Sequence, residues 1–80
     1  MFIKYKDINN DSGVSEYELG SDYIAVCFKG TLKTYYYTYE SAGQEHVEQM
    51  KRFAASGDGL NSYIGHHCRN LYDKRKTNGN

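Results

Sequence analysis

The sequence has no proline, no tryptophan and only two cysteines, and its charges cancel, since ten Lys and Arg balance ten Asp and Glu. The absence of proline excludes a collagen-like or proline-rich segment. Two cysteines are too few for the disulfide framework that stabilises many small secreted domains. A net charge of zero excludes a strongly basic or acidic protein and argues against tight, nonspecific binding to nucleic acid.

Long apolar runs are also missing. No segment approaches the roughly 18 apolar residues of a membrane-spanning helix, and charge interrupts the apolar residues of Phe2–Lys6 at once, unlike a signal peptide. We therefore expect a cytoplasmic protein that does not contact a membrane and keeps Cys27 and Cys68 as free thiols. Its 80 residues form a single domain, 1–80. A chain of this size buries only about 60–65% of its unfolded surface, which excludes most large enzyme folds.

Tyrosine is abundant by contrast, with nine tyrosines beside three phenylalanines. Alternation between Val14 and Tyr39 predicts a meander of three antiparallel strands, with two-residue turns at Gly20-Ser21 and Gly30-Thr31. The predicted pairs are Leu19 with Asp22, Tyr17 with Ile24, Val26 with Tyr35, and Ile24 with Tyr37.

This register divides the side chains between two faces of the sheet. Because alternate residues of a strand point to opposite sides, the more apolar set is expected to be buried. The buried face would hold Tyr17, Ile24, Val26, Phe28, Tyr35, Tyr37 and Tyr39. The outward face would hold Glu16, Glu18, Tyr23, Ala25, Cys27, Thr34, Tyr36 and Thr38.

The segments before and after this meander complete the predicted fold. Ile3 and Tyr5 alternate with lysines, which indicates a short edge strand, and a loop follows at 9–13. Residues 77–80 are expected to form a flexible tail. The fold class is therefore α+β: an antiparallel meander of three to four strands, followed by two antiparallel helices packed on one face of the sheet.

Two helices are predicted by their apolar spacing. Ser41 and Gln44 have the spacing of a capping box, and Gly57 is a suitable helix stop. Asp58 is expected to cap the second helix. The apolar positions of the first helix are Val47, Met50, Phe53 and Ala54, and those of the second are Leu60, Tyr63, Ile64, His67, Cys68 and Leu71.

Several of these segments together resemble a known family. They are Tyr17, the run Ile24–Gly30, the Tyr-x-Tyr of Tyr35–Tyr37, the helix end Phe53–Gly57, and Leu60-Asn61 followed by Ile64. With them, the region from about 14 to 72 resembles the KTSC domain, a small domain named for the C-terminal domain of some lysyl-tRNA synthetases. The resemblance implies a small sheet with two helices and no known enzymatic activity, and RNA binding has been suggested for the family.

Metal binding and catalysis have little support in the sequence. His66, His67 and Cys68 are consecutive, so a regular helix would point them in different directions, about 100° apart. The paired ligand clusters of a structural zinc site are missing. A buried Cys68 would be a poor nucleophile because apolar surroundings raise a thiol pKa. We expect no metal, no cofactor and no catalytic residues, and therefore not an enzyme.

Two binding functions remain. The first is a protein-interaction or self-association module that uses the outward face of the sheet. The alternative is an RNA-binding module, in which Tyr36 would stack on a base while Lys29 and Lys33 meet phosphates. The candidate surface comprises Tyr23, Cys27, Lys29, Lys33 and Tyr36, and the alternative basic patch at the end of the last helix comprises Arg69, Lys74, Arg75 and Lys76.

Overall fold

The structure, a computed structural model, describes residues 1–8, 13–31 and 33–76, so most of the predicted loop at 9–13 and the predicted tail at 77–80 lie outside the described residues. The predicted α+β class is confirmed: a four-stranded antiparallel sheet in the order β1-β2-β3-β4 is followed by helices. The strands are β1 (Ile3–Lys4), β2 (Val14–Leu19), β3 (Tyr23–Phe28) and β4 (Thr34–Thr38). The helices are α1 (Tyr39–Ala42), α2 (Gln44–Ser56) and α3 (Leu60–Tyr63), which continues into a π-helical turn (Ile64–Cys68). Within the described residues, no helix is long and apolar enough to span a membrane.

The N-terminal segment belongs to the core of the domain. Strand β1 lies at the edge of the sheet and pairs with β2, and the amide of Tyr5 prolongs the pairing by donating to the Ser15 carbonyl at 2.9 Å. The Tyr5 ring is 3% exposed and packs edge-on against Tyr17. The folded core therefore extends beyond the 14–72 region that resembles the KTSC domain.

The two hairpins differ in how well the sequence predicted them. The pairing of β3 with β4 is confirmed, with Val26 opposite Tyr35. The predicted pairing of β2 with β3 is wrong by two residues, because Leu19 lies opposite Ile24 rather than Asp22. Gly20 remains paired, since its amide donates to the carbonyl of Tyr23 at 2.9 Å, and the turn moves forward by one residue.

A two-residue shift leaves every side chain on its predicted face, because the side-chain period of a strand is two. On the inner face Tyr17, Ile24, Val26 and Tyr37 are buried, and they pack against Val47, Met50, Ala54, Leu60, Ile64 and Cys68; Phe28, Tyr35 and Tyr39 are half-buried at its margin. On the outer face Ala25 is also buried, beside Tyr36 in the register.

The first helix begins earlier than predicted. The capping box joins Thr38 to Ser41, because the Ser41 amide donates to the Thr38 hydroxyl at 2.9 Å and the Thr38 amide donates to the Ser41 hydroxyl at 3.1 Å. This box starts the single-turn helix α1. Gly43 adopts a φ of 93°, which interrupts the helix, so that Gln44 opens α2 rather than completing a capping box with Ser41.

The connection between α2 and α3 is built on two glycines. The predicted stop is confirmed, since Gly57 takes the left-handed conformation with a φ of 80° at the end of α2. The predicted cap is wrong, because Gly59 rather than Asp58 precedes α3, with a φ of 91°. An added Cβ at Gly59 would lie 2.9 Å from Cδ1 of Phe53, so a residue without a side chain lets the two helices approach closely.

The apolar stripe of the last helix is only partly confirmed. Leu60, Ile64 and Cys68 are buried, but His67 is exposed. The wider turn of a π-helix rotates each residue by less than the about 100° of an α-helix. Cys68 therefore stays in line with Ile64, while His67 moves to the side of the stripe.

Candidate functional site

Two tyrosines form the centre of the outer sheet face. Tyr23 and Tyr36 lie on neighbouring strands, with ring centroids 5.7 Å apart, and both are half-buried. The Tyr23 hydroxyl donates to Glu18 at 3.0 Å, and this hydrogen bond raises the pKa of Tyr23. Hydrogen bonds from the amino group of Met1 and from Tyr23 lower the pKa of Glu18. The carboxylate of Glu18 therefore stays ionised beside the two rings.

Cys27 belongs to the same face and differs sharply from the second cysteine. Its Sγ lies 3.3 Å from the hydroxyl oxygen of Thr34, and the residue is partly exposed. Cys68 is fully buried, and burial raises the pKa of its thiol to about 11. Both cysteines are free, as the sequence predicted, but only Cys27 is accessible to a reagent in solution.

The two lysines predicted for this surface both have other partners. The ammonium group of Lys29 pairs with the carboxylate of Asp7 at 2.9 Å. The Lys33 ammonium lies over the ring of Tyr35, 5.5 Å from its centroid, and so belongs to the inner side of the sheet. The physical reason is strand alternation, since Lys33 shares the parity of Tyr35 rather than that of Tyr36. The outer face carries the two rings and two carboxylates of β2: Glu16 is exposed with Lys4 opposite it in the register, and Glu18 pairs with the amino group of Met1.

The predicted basic patch at the end of the last helix is also divided. The helix ends at Cys68, and Lys74–Lys76 lie in a later turn, in which the Lys76 amide donates to the Asp73 carbonyl at 3.2 Å. The guanidinium of Arg75 lies 3.0 Å from a carboxylate oxygen of Glu40. The backbone amide of Arg75 donates to the Asp73 carboxylate, which lowers the pKa of that group. Lys74 and Lys76 are exposed, whereas Arg69 lines a different feature, a groove.

This groove was not predicted from the sequence, and its volume is about 440 Å³. It forms because the chain after the last helix folds back along β4, where the Asp73 amide donates to the Tyr36 carbonyl at 2.7 Å. Tyr72 is thereby held edge-on against Tyr35, with ring centroids 4.9 Å apart. The walls are Phe28, Thr31, Tyr35, Arg69, Asn70 and Tyr72, above buried Tyr37 and Ile64. Sequence reasoning missed the groove because the predicted apolar stripe ended at Leu71, one residue before Tyr72.

A third cluster joins the two longer helical segments on their outer side. Nδ1 of His46 lies 2.7 Å from the hydroxyl oxygen of Tyr63, and the ring of His67 lies 4.7 Å from the Tyr63 ring. The contacts are those of aromatic packing between helices. Over residues 1–8, 13–31 and 33–76, no group of three His, Cys, Asp or Glu side chains is placed to bind a metal ion.

Comparison with known proteins adds no relative. No protein-family model matches the sequence, and searches of curated proteins and of solved structures returned no significant match.

Proposed function

We propose that the chain is a small, non-enzymatic protein-interaction module that binds its partner through the outer face of the sheet. The observation that supports this proposal is the pair of half-buried rings, Tyr23 and Tyr36, beside the carboxylates of Glu16 and Glu18. Tyrosine is among the residues most enriched at the energetic centres of protein interfaces, because it buries a large rigid ring and keeps a polar end. Ala25 lies opposite Tyr36 in the register and is buried, so the small side chain in this part of the face does not project beyond the rings.

The charge of this face selects the kind of partner. Glu16 is exposed with Lys4 opposite it in the register, and Glu18 is held ionised by its hydrogen bonds with the Met1 amino group and Tyr23. Complementary potentials steer association, whereas juxtaposed like charges oppose it. A second copy docked face to face would bring these carboxylates together. The partner is therefore a protein segment that carries Lys or Arg, rather than the same face of a second copy.

RNA binding through Tyr36 has less support from the same geometry. The face that carries Tyr36 also carries Glu16 and Glu18, which would repel phosphates. Lys29 pairs with Asp7, and Lys33 lies on the other side of the sheet. Of these two lysines, one is therefore engaged by a carboxylate and the other lies on the opposite face from Tyr36, which weakens the support for phosphate binding beside that ring.

Membership of the KTSC family is part of the proposal. The resemblance in residues 14–72 supports it, and the observed small sheet with following helices is the fold that the resemblance implies. We also propose the cytoplasm as the compartment, because two free thiols are typical of a reducing environment.

The accessible thiol of Cys27 provides the test. A thiol-reactive photo-crosslinker attached to Cys27 reports on the outer face, because Cys68 is buried. In an extract of the host cells, we expect crosslinks to a basic segment of one protein, and their loss in Tyr36→Ala and Glu16→Lys.

The matched control carries the crosslinker on the exposed helix α2, as Ala55→Cys in a Cys27→Ser chain. The proposal is wrong if both positions capture the same proteins, or if capture from Cys27 survives the Tyr36→Ala and Glu16→Lys changes. Sedimentation of the pure protein serves as a second check, since we expect a monomer. A dimer that dissociates on Tyr36→Ala would identify a second copy as the occupant of this face.

A further inference from the structure

We infer that the groove between β4 and the C-terminal segment is a binding site for a nucleotide, whose planar base packs among the rings while its phosphate meets Arg69. This inference is independent of the proposed function, because the groove and the outer face lie on opposite sides of the sheet. Tyr35 lines the groove and Tyr36, the next residue of β4, lies on the outer face.

The ring arrangement suits a flat aromatic ligand. Tyr35 stands nearly perpendicular to Phe28 at an interplanar angle of 78° and to Tyr72 at 87°. All three are half-buried and line the groove, so part of each ring borders its open space. Aromatic side chains of this kind stack on nucleic-acid bases with little dependence on the base. The groove volume of about 440 Å³ falls within the roughly 300–1,000 Å³ of small-molecule sites.

The charges of the groove select an anion. Arg69 lines it and is exposed, and the Lys33 ammonium lies over the Tyr35 ring, 5.5 Å from the centroid. Among the residues that the structure describes as lining the groove, none is acidic. Asp73, which follows Tyr72, is bonded to Arg75 instead. A guanidinium that can form two parallel hydrogen bonds is well suited to a phosphate group.

Neutral polar groups complete the site. Thr31 and Asn70 both line the groove. An amide and a hydroxyl can each donate and accept hydrogen bonds, so they match the edge of a base or the hydroxyls of a ribose. Few polar groups among aromatic walls are the usual composition of a ligand site, where the polar groups orient the ligand and the rings contribute most of the contact.

The first experiment is an amide-shift titration of labelled protein with adenosine 5′-monophosphate at low salt. We expect shifts at Phe28, Thr31, Tyr35, Asn70 and Tyr72, and none at Tyr23. Adenosine and inorganic phosphate should each bind more weakly than the nucleotide, because each lacks one of the two recognised parts. Affinity should fall as salt rises, since phosphate contacts are screened.

Paired variants locate the site. Tyr35→Leu should weaken binding by roughly tenfold, whereas Tyr36→Leu, the neighbouring tyrosine on the opposite face, should leave it unchanged. Arg69→Gln should weaken binding of the nucleotide but not of adenosine, while Arg52→Gln on α2 should have no effect. Tyr35→Phe keeps the ring and should bind the nucleotide normally. Because Arg69 is exposed, Arg69→Gln should fold, and these two variants test the site even if Tyr35→Leu fails to fold.

A short single-stranded RNA with a 5′ phosphate distinguishes the two sources of the same chemistry. If the RNA binds far more tightly than the free nucleotide, with the same dependence on Tyr35, the ligand is the 5′ end of an RNA chain. Equal binding of both would assign the site to a free nucleotide. Absence of shifts around the groove at millimolar nucleotide, or equal losses in Tyr35→Leu and Tyr36→Leu, would overturn the inference.

Discussion

The hydroxyl oxygen of Tyr5 accepts a hydrogen bond of 3.3 Å from the backbone amide of Leu60, which joins the N-terminal strand to the first residue of α3. Gly59 precedes the helix and supplies no side-chain cap. Tyr5 therefore takes the part that a capping side chain normally plays, since one of the unpaired amides at the start of a helix finds its partner there.

Removal of this hydroxyl tests its contribution. Tyr5→Phe leaves the buried amide of Leu60 without that acceptor, and we expect the free energy of unfolding to fall by about 1 kcal/mol. For a domain of this size the melting temperature would fall by roughly 4–8 °C. Thermal denaturation measures the change, with Tyr72→Phe as the control for loss of a tyrosine hydroxyl elsewhere. Equal losses in the two variants would contradict a capping role for Tyr5.

The two thiols should differ in reactivity. Cys27 is partly exposed and Cys68 is fully buried with a pKa of about 11. Because the thiolate is the reactive form, we expect one rapid adduct per native chain with a maleimide at neutral pH. Mass spectrometry of the labelled peptides should place it on Cys27, with Cys68 reacting only in denaturant. Rapid labelling of Cys68 in the native protein would show that the last helix opens easily.

The buried thiol also predicts how stability depends on pH. Burial raises the pKa of Cys68 from 9.0 to about 11, so between these values the folded chain keeps a proton that the unfolded chain releases. Stability from this group is present below pH 9.0 and is lost as the pH rises towards about 11. Burial raises the pKa of Tyr37 as well, which adds a loss in the same direction. The midpoint of urea denaturation should therefore decline from pH 8 through about 9 to about 10. The decline should be shallower in Cys68→Ala. An equally steep decline in that variant would assign the effect to other groups.

Alanine substitutions at two glycines should change the stability of the protein in opposite directions. An added Cβ at Gly20 would lie 1.9 Å from the ring of Tyr23, whereas one at Gly65 would meet nothing within 4 Å. Gly20→Ala must displace the Tyr23 ring, and we expect a loss of about 1–3 kcal/mol. Gly65→Ala lies within the last helix and should gain about 0.5–1 kcal/mol, because alanine loses less backbone entropy than glycine. Chemical denaturation measures both, and a stable Gly20→Ala chain with unchanged Tyr23 ring signals would disprove the close contact.

Local patterns predicted the fold class because they act over short distances. Alternation placed Tyr17 and Tyr37 on the buried face, and helical spacing selected Val47, Met50 and Ala54 for the core. The predicted register of the hairpin between β2 and β3 was wrong because alternation cannot distinguish it from the observed one. A shift of two residues keeps all side chains on the same face, so the hydrophobic pattern is identical for both registers. In the observed register Gly20 lies against the Tyr23 ring across the turn, a contact that strand alternation does not encode.

The candidate sites were predicted less well because they depend on contacts between distant residues. Lys29 lies near the predicted surface in sequence, but its partner Asp7 comes from the N-terminal segment. The groove exists because the Asp73 amide bonds to β4, which holds Tyr72 against Tyr35. No periodicity of either segment indicates that pairing.

The amino-acid sequence by itself determined the main buried face of the sheet, the order of strands before helices, and that its two cysteines are too few for a disulfide framework. Those properties follow from the spacing of apolar residues and from composition, which are local. Tertiary structure alone decided the start of α3 at the Tyr5 hydroxyl, the pairing of Lys29 with Asp7, and the groove beside Arg69. Each of these depends on how segments that are distant in the sequence pack together. The free energy of that packing is distributed over many weak contacts, which no single sequence motif encodes.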